Sequence, residues 1–151
     1  MISNMKLITG LFVCIAALSL QAETKLKVAD LPAAVQKTVQ EQLKNAILVG
    51  VGKETEKGKT VYELETKVNG KTRDLVIDAA GGVLEVEEEV EMATVPAVAR
   101  EAIQKMAGKG KVTKVESLSK GGKVVAYEAA VMTGKKSSEV AVTPEGGPFK
   151  D

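Results

Sequence analysis

Four alternating glutamates form the densest group of charged side chains in this chain: Glu85, Glu87, Glu89 and Glu91. In an extended strand all four would share one face, with Leu84, Val86 and Val90 opposite. Such a row repels itself. It is typical of a solvated face that discourages edge-to-edge pairing, and it also fits a docking strip for a basic partner or a weak calcium site, since hard cations prefer carboxylate oxygen. The four glutamates are our candidate partner- or cation-binding residues, and no calcium-loop motif accompanies them.

Catalysis finds little support in the residue types. The chain has no histidine, and its single cysteine, Cys14, lies in the apolar N-terminal stretch. Histidine base catalysis, thiol catalysis and the usual zinc sites are therefore excluded from the mature chain. Ser117 and Lys120 match an S-x-x-K pattern, but that motif needs a helix and companion motifs, and here it lies at the end of a predicted strand. We predict a protein that is not an enzyme, with no catalytic residue, metal ion or cofactor.

The first 22 residues are typical of a secretory signal peptide. Lys6 supplies the positive start, residues 7–20 are apolar, and Ala22 is a small residue at the expected cut. Cleavage after Ser19 is the alternative, because Leu20 is large for the position three residues before a cut at Ala22. The apolar run is shorter than the roughly 20 residues that span a bilayer. We expect no stable membrane insertion after cleavage and a periplasmic or secreted protein.

The mature chain carries no strong net charge. Loss of Lys6 from the 21 basic residues leaves 20 basic and 20 acidic ones, so no global field draws the protein to nucleic acid. Its aromatic residues are few: Tyr62, Tyr127 and Phe149. The sequence therefore predicts an aliphatic core and few aromatic binding hot spots.

Four short landmarks recur in the same order at a spacing of 64 or 65 residues. They are Asp30-Leu31-Pro32-Ala33 and Thr94-Val95-Pro96-Ala97, Tyr62-Glu63 and Tyr127-Glu128, Gly70-Lys71 and Gly134-Lys135, and Gly81-Gly82 and Gly146-Gly147. Each pair is a weak match, but the shared order at one offset indicates an internal repeat.

Each copy is predicted to open with a helix that begins at proline, since Pro32 and Pro96 suit a first helical turn. Asp30 and Thr94 lie upstream as candidate capping residues. Apolar residues recur with helical spacing in both segments: Leu31, Val35, Val39, Leu43 and Ile47 in the first, and Val95, Val98, Ala99, Ala102, Ile103 and Met106 in the second. These rows predict buried faces.

After each helix the apolar period changes to two, which predicts strands. Expected strands lie at 47–54, 62–68, 75–78 and 83–86 in the first copy, and at 112–118, 124–132 and 139–142 in the second. Turns are expected at Lys57-Gly58, Asn69-Gly70 and Gly121-Gly122. The predicted fold class is α+β: two tandem helix-plus-antiparallel-sheet units with the helices on one face of the sheet. The expected domains are a signal peptide at 1–22, a first repeat at 23–91 and a second at 92–151.

The Leu-Pro helix start, the Tyr-Glu strand, the Gly-Lys hairpin and the Gly-Gly turn resemble the PepSY-like proteins related to the β-lactamase inhibitory protein. The resemblance covers Lys27 to about Gly147. It implies an exported tandem repeat that binds or inhibits another protein of the cell envelope, although the aromatic-rich binding face of the inhibitory protein has no counterpart among three aromatic residues. The alternative function is an acidic, calcium-responsive periplasmic protein.

Overall fold

The computed structural model describes residues 24–150 as one antiparallel sheet with two helices on it. The predicted signal peptide lies outside the described residues. The strands are β1 (Thr24–Lys25), β2 (Ile47–Glu56), β3 (Lys59–Val68), β4 (Lys71–Asp78), β5 (Val83–Glu89), β6 (Lys111–Lys120), β7 (Lys123–Thr133) and β8 (Lys136–Val142). The helices are α1 (Ala33–Gln42) and α2 (Ala97–Ala107). Each strand pairs with the next one along the chain, so the spatial order is the sequence order.

Short turns make this meander possible. Lys57 and Gly58 between β2 and β3 have φ values of 49° and 79°, and Asn69 and Gly70 between β3 and β4 have 52° and 84°. Positive φ at both central residues gives a hairpin turn whose twist matches that of the strands. The turns predicted at these positions are confirmed.

The prediction of two tandem helix-plus-sheet units is wrong, because the ladder of hydrogen bonds continues through the middle of the chain. β5 pairs with β4 on one edge and with β6 on the other. Val86, for example, lies opposite both Leu75 and Ser119. With both edges of β5 occupied, no free edge separates two sheets. The two helices keep a partial α+β character.

Both helices contact the same face of the sheet, which we call the helix face. Leu31, Val35 and Val39 pack on Tyr62, Leu64, Leu75 and Ile77 in one core cluster. Val95, Ala99 and Ile103 pack on Val115, Ala129 and Val142 in the other. The two clusters use positions 64 or 65 residues apart.

Fewer residues are buried on each helix than the sequence predicts. Only residues four apart are buried on α2, and Val98 and Met106 are 58% and 49% exposed. Ile47 is not helical, because α1 ends at Gln42, and it begins β2 with 72% of its surface exposed. Short helices lying on a sheet touch it along a single line, which explains the difference.

Proline precedes both helices as predicted, with Pro32 and Pro96 at the cap position and similar φ values of −53° and −50°. The predicted capping by Asp30 and Thr94 is wrong, since neither helix has a side-chain cap. These two residues end short 3-10 turns instead, at Val28–Asp30 and Met92–Thr94. The Thr94 hydroxyl donates to the carbonyl of Glu91 at 2.8 Å.

A glycine turn presses against each helix. The Thr38 hydroxyl of α1 donates to the carbonyl of Gly81 at 2.7 Å. A Cβ at Gly81 would lie 2.7 Å from the carbonyl oxygen of Ala34, and one at Gly146 would lie 2.9 Å from that of Val98. Both glycines also have positive φ. Glycine is therefore favoured here for two reasons, the close approach to the helix and the left-handed backbone conformation. Within residues 24–150, neither helix is long and apolar enough to cross a bilayer.

Candidate functional site

The face of the sheet opposite the helices collects carboxyl groups from five consecutive strands. Because side chains alternate along a strand, the register decides which of them share this face. Asp74 lies opposite Glu87, and Glu116 lies opposite both Glu89 and Glu128. We call this surface the carboxylate face and define it by Asp74, Glu85, Glu87, Glu89, Glu116, Glu128 and Glu139.

Apolar side chains at the base of the carboxylate face are buried although the helices pack on the other side. Val76 lies between Glu63 and Glu85 in the register, and Leu118 lies opposite Glu87. Both apolar residues are only 3% exposed. Side chains of the carboxylate face must therefore cover them, which keeps the acidic groups close together and partly out of water.

Three of the four glutamates identified from the sequence lie on the carboxylate face. Glu85, Glu87 and Glu89 alternate along β5 as predicted. Glu91 is separated from them, because β5 ends at Glu89 and Glu91 directly precedes the 3-10 turn at Met92–Thr94. Its carboxylate lies 2.6 Å from the ammonium of Lys71, and this hydrogen bond and charge lower the pKa of Glu91. The structure thus divides the predicted row into a strand group and one solvent-exposed ion pair.

Two lysines neutralise part of the carboxylate face. Lys120 lies 3.0 Å from Glu85, and Lys114 lies 2.8 Å from Glu116. These two glutamate side chains are only 17% and 14% exposed. Thr72 adds donors, since its N–H reaches Glu89 at 3.2 Å and its hydroxyl reaches Glu116 at 3.0 Å. Carboxyl groups still outnumber ammonium groups among the described residues of this face.

Glu87 lies at the centre of the carboxylate face, and its pKa is raised further than that of Asp74 or Glu128. Burial raises its pKa to about 9, and the negative charges of Glu128, Glu116, Asp74 and Glu85 add to the rise. Among the described residues, no lysine or arginine forms an ion pair with Glu87. The neutral acid is therefore its stable form near neutral pH.

The pKa of Asp74, which lies opposite Glu87, is raised less than that of Glu87. Burial lifts its pKa to about 6, while the backbone N–H of Thr66, 3.2 Å away, donates to the carboxylate and opposes the rise. A donor to the charged form favours ionisation. Asp74 thus ionises before Glu87 as the pH increases.

Glu128 and Glu139 form a coupled pair on β7 and β8. Burial raises the pKa of both carboxyl groups, and their shared hydrogen bond raises the pKa of Glu128 while it lowers that of Glu139. Two carboxyl groups in contact hold one proton between them more readily than none. We therefore assign the proton to Glu128, which donates to Glu139.

Sequence reasoning missed four members of this face: Asp74, Glu116, Glu128 and Glu139. The signal that could have found Glu128 is its match with Glu63, because both follow a tyrosine at the same repeat position. Alternation then places both on the face away from the helices. The others depend on strand register, which bulges in β4–β5 and β6–β7 shift by one residue.

The described residues show how the carboxylates and the S-x-x-K motif are arranged. Within residues 24–150, no group of three or more carboxylates is arranged to hold a metal ion. Ser117 lies opposite Glu88 on the helix face, whereas Lys120 pairs with Glu85 on the other face. The two side chains of the S-x-x-K motif therefore lie on opposite faces of the sheet.

A shallow cleft of about 420 Å³ lies on the helix face, between the β3–β4 hairpin and the end of β5. The guanidinium group of Arg73 lines this cleft and forms an ion pair and a hydrogen bond there. Arg73 contacts Glu88 at 2.8 Å and Gln42 at 2.9 Å. The cleft is thus a structural ion-pair site between α1 and the sheet.

Comparison with solved structures finds the same fold in several proteins of Bacteroides. A proposed periplasmic protein from Bacteroides eggerthii has a TM-score of 0.63 at 16% identity, over 80% of this chain and 86% of that one. A DUF2874 family protein from Bacteroides ovatus has a TM-score of 0.60 at 18% identity, over 80% and 85%.

A protein from Bacteroides fragilis that resembles the β-lactamase inhibitory protein has a TM-score of 0.55 at 20% identity, over 79% of this chain and 83% of that one. These likenesses establish a fold like that of the β-lactamase inhibitory protein. No protein-family profile matches the chain, and no curated protein matches it.

Proposed function

We propose that this chain is an exported, non-catalytic binding protein of the periplasm, and that its carboxylate face binds a basic segment of another envelope protein. The observation that carries the proposal is the excess of carboxyl groups on one broad sheet face. Complementary charge speeds encounter with a cationic partner and selects against anionic ones.

The location of this charge supports binding better than a purely solvated surface does. Acids that only promote solubility gain most from free contact with water, yet Glu85 and Glu116 are largely covered. Crowding of like charges across strands costs stability. A protein that retains such a cost on one face is expected to use that face, since functional sites often carry local destabilisation.

The structural neighbours support the envelope setting. One is described as a proposed periplasmic protein and another as like the β-lactamase inhibitory protein. The leader at residues 1–22 agrees with that setting. The serine–lysine motif is divided between the two faces of the sheet, which favours a non-catalytic role.

We further propose that the sheet arose from a duplicated PepSY-like sequence. The Leu26 N–H donates to the carbonyl of Val51 at 2.9 Å, and the Val90 N–H donates to that of Val115 at 2.9 Å. The pairing of β5 with β6 is therefore equivalent to the pairing of β1 with β2. This equivalence supports a repeat in which β5 belongs to the second copy and the copies join near Gly82.

Affinity capture from an envelope extract of the producing bacterium tests the proposed function. The bait proteins are the parent, a Glu87→Gln/Glu89→Gln variant, and a Glu101→Gln/Glu145→Gln control. The control loses two carboxylates from exposed positions on α2 and the C-terminal turn. Its loss of charge near neutral pH is at least as large as that of the face variant, because Glu87 is mostly protonated there. We expect the parent and the control to retain the same basic proteins, and the face variant to lose them.

Salt provides a second check, because exposed charge pairs are screened within about 3 Å at 1 M ionic strength. Captured partners should elute with salt and not require denaturant. Equal capture by all three baits, or capture that resists salt, would mean that the carboxylate face is not the binding surface.

A further inference from the structure

Two adjacent rows of carboxyl groups cross the strands, formed by members of the carboxylate face together with Glu65 of β3, which lies beside that face on the same side of the sheet. Glu65, Asp74 and Glu87 lie opposite one another on β3, β4 and β5. Glu89, Glu116 and Glu128 do the same on β5, β6 and β7. Opposed side chains have their Cβ atoms about 5 Å apart, so like charges there repel. Six acids in register on one face are a geometry that favours shared protons.

Charged groups lie on the same side of the sheet as Glu87, on its own strand, on the adjacent strands β4 and β6, and on the strands beyond them. They include Glu63, Glu65 and Lys67 on β3, Asp74 on β4, Glu85 and Glu89 on β5, Lys114, Glu116 and Lys120 on β6, Glu128 on β7 and Glu139 on β8. The two lysines of β6 lie against Glu116 and Glu85. Neither lysine is in ion-pair contact with Glu87, so a proton is the remaining way to neutralise it.

We propose that the carboxylate face is a pH-responsive surface, whose opposed carboxyl groups hold protons at neutral pH and release them on alkalinisation, so that its negative charge and its affinity for cationic partners rise together. The change in charge depends on the burial and the register of the acids, and not on the proposed function. The change in affinity rests on the proposed function.

The order of proton release follows from the surroundings of each group. Among Asp74, Glu128 and Glu87, whose pKa values are about 6, 8 and 9, Asp74 ionises first and Glu87 last. The proton shared by Glu128 and Glu139 is also retained above the ordinary range. The face therefore becomes more negative in steps between weakly acidic and alkaline pH.

Carbon-13 NMR of the glutamate carboxyl groups measures the titration directly. In the purified protein, we expect the Glu87 carboxyl signal to titrate several pH units above the exposed glutamates, which titrate near about 4.3. Glu87→Gln should remove that signal, and Glu128→Gln should lower the midpoint of Glu87, because Glu128 ionises first and its negative charge is then gone. Glu101→Gln, a change on the exposed side of α2, should leave both midpoints unchanged.

An octaarginine peptide tests the effect on affinity, because arginine stays charged throughout the range used. At constant ionic strength we expect the parent to bind the peptide about tenfold more tightly near pH 9 than near pH 6, which one or two additional charges can provide. Glu87→Gln should show a smaller change, and Glu101→Gln should match the parent.

The two measurements separate the two proposals. If every carboxyl group titrates below about pH 5, proton sharing is wrong even when octaarginine binds. If the carboxyl groups titrate high but the peptide binds at neither pH, the proton sharing stands, while the link to affinity and the proposed function fail together. Peptide binding that is equal at both pH values would also refute the link to affinity.

Discussion

Raising the pH from about 6 to about 8 should destabilise this protein, the opposite of the usual effect of ionising acids. In the folded state the pKa of Glu87 is raised to about 9, mainly by burial, whereas in the unfolded chain it returns to its ordinary value of 4.5. Between these two values the folded state binds more protons than the unfolded state. Stability therefore falls with rising pH across that window.

The magnitude follows from proton linkage. One extra proton in the folded state costs about 1.4 kcal/mol of unfolding free energy per pH unit. Over two pH units Glu87 alone accounts for about 2.7 kcal/mol. Because its side chain keeps partial contact with water, screening reduces this, and a loss of about 1 to 2 kcal/mol is expected. The lowered pKa of Glu91 acts only at acidic pH, below this range.

Urea denaturation at constant ionic strength measures the effect. The midpoint should be lower near pH 8 than near pH 6 with an unchanged slope. Glu87→Gln should raise stability near pH 8 and flatten the pH dependence, whereas Glu101→Gln should keep the dependence of the parent. A parent protein as stable near pH 8 as near pH 6, or a Glu87→Gln variant with the full dependence, would refute the role of Glu87.

Three further predictions concern the core, the turns and export. Tyr62 is 7% exposed, so Tyr62→Ala should cost about 3 kcal/mol or more in urea denaturation, and Tyr127→Ala, which is less buried, should cost less. Losses under about 1 kcal/mol at both positions would contradict their matched placement. Gly81→Ala should cost about 2 kcal/mol or more from positive φ and collision with α1, against about 1 kcal/mol for Gly58→Ala, where nothing lies within 4 Å. Intact-mass measurement of the envelope fraction should find a chain that begins at Glu23, and a full-length cytoplasmic product would contradict export.

The strands and turns were predictable because their signals are local. Alternation around Tyr62 and Leu64 and the Asn69-Gly70 pair report on a few neighbouring residues, and the structure follows them. The sequence did not predict that the strands of the two copies form one continuous sheet, because no local signal reports it. That continuity depends on which edges of Val83–Glu89 find partners, and that choice is made by strands far away in the sequence.

The candidate site was predictable along one strand but not across strands. The alternation of Glu85, Glu87 and Glu89 placed them together, and the structure agrees. The extent of β5 was not encoded in that pattern, so the expectation that Glu91 shares this strand face is wrong, because β5 ends at Glu89. The acids brought in by β4, β6, β7 and β8 depend on register, and a shift of one residue would have turned them to the helix face.

The two faces of the sheet respond differently to pH. The helix face is held by apolar contacts among residues such as Val35, Val39 and Leu64, which carry no charge and do not titrate. The carboxylate face loses protons as the pH rises, so its repulsion grows while the packing on the other face stays constant. The same ionisation that weakens the fold strengthens the attraction for a cation, and binding would offset the cost because a ligand that binds only the folded state stabilises it. If the proposed function holds, conditions that favour binding of a cationic partner are therefore those in which the unbound protein is least stable.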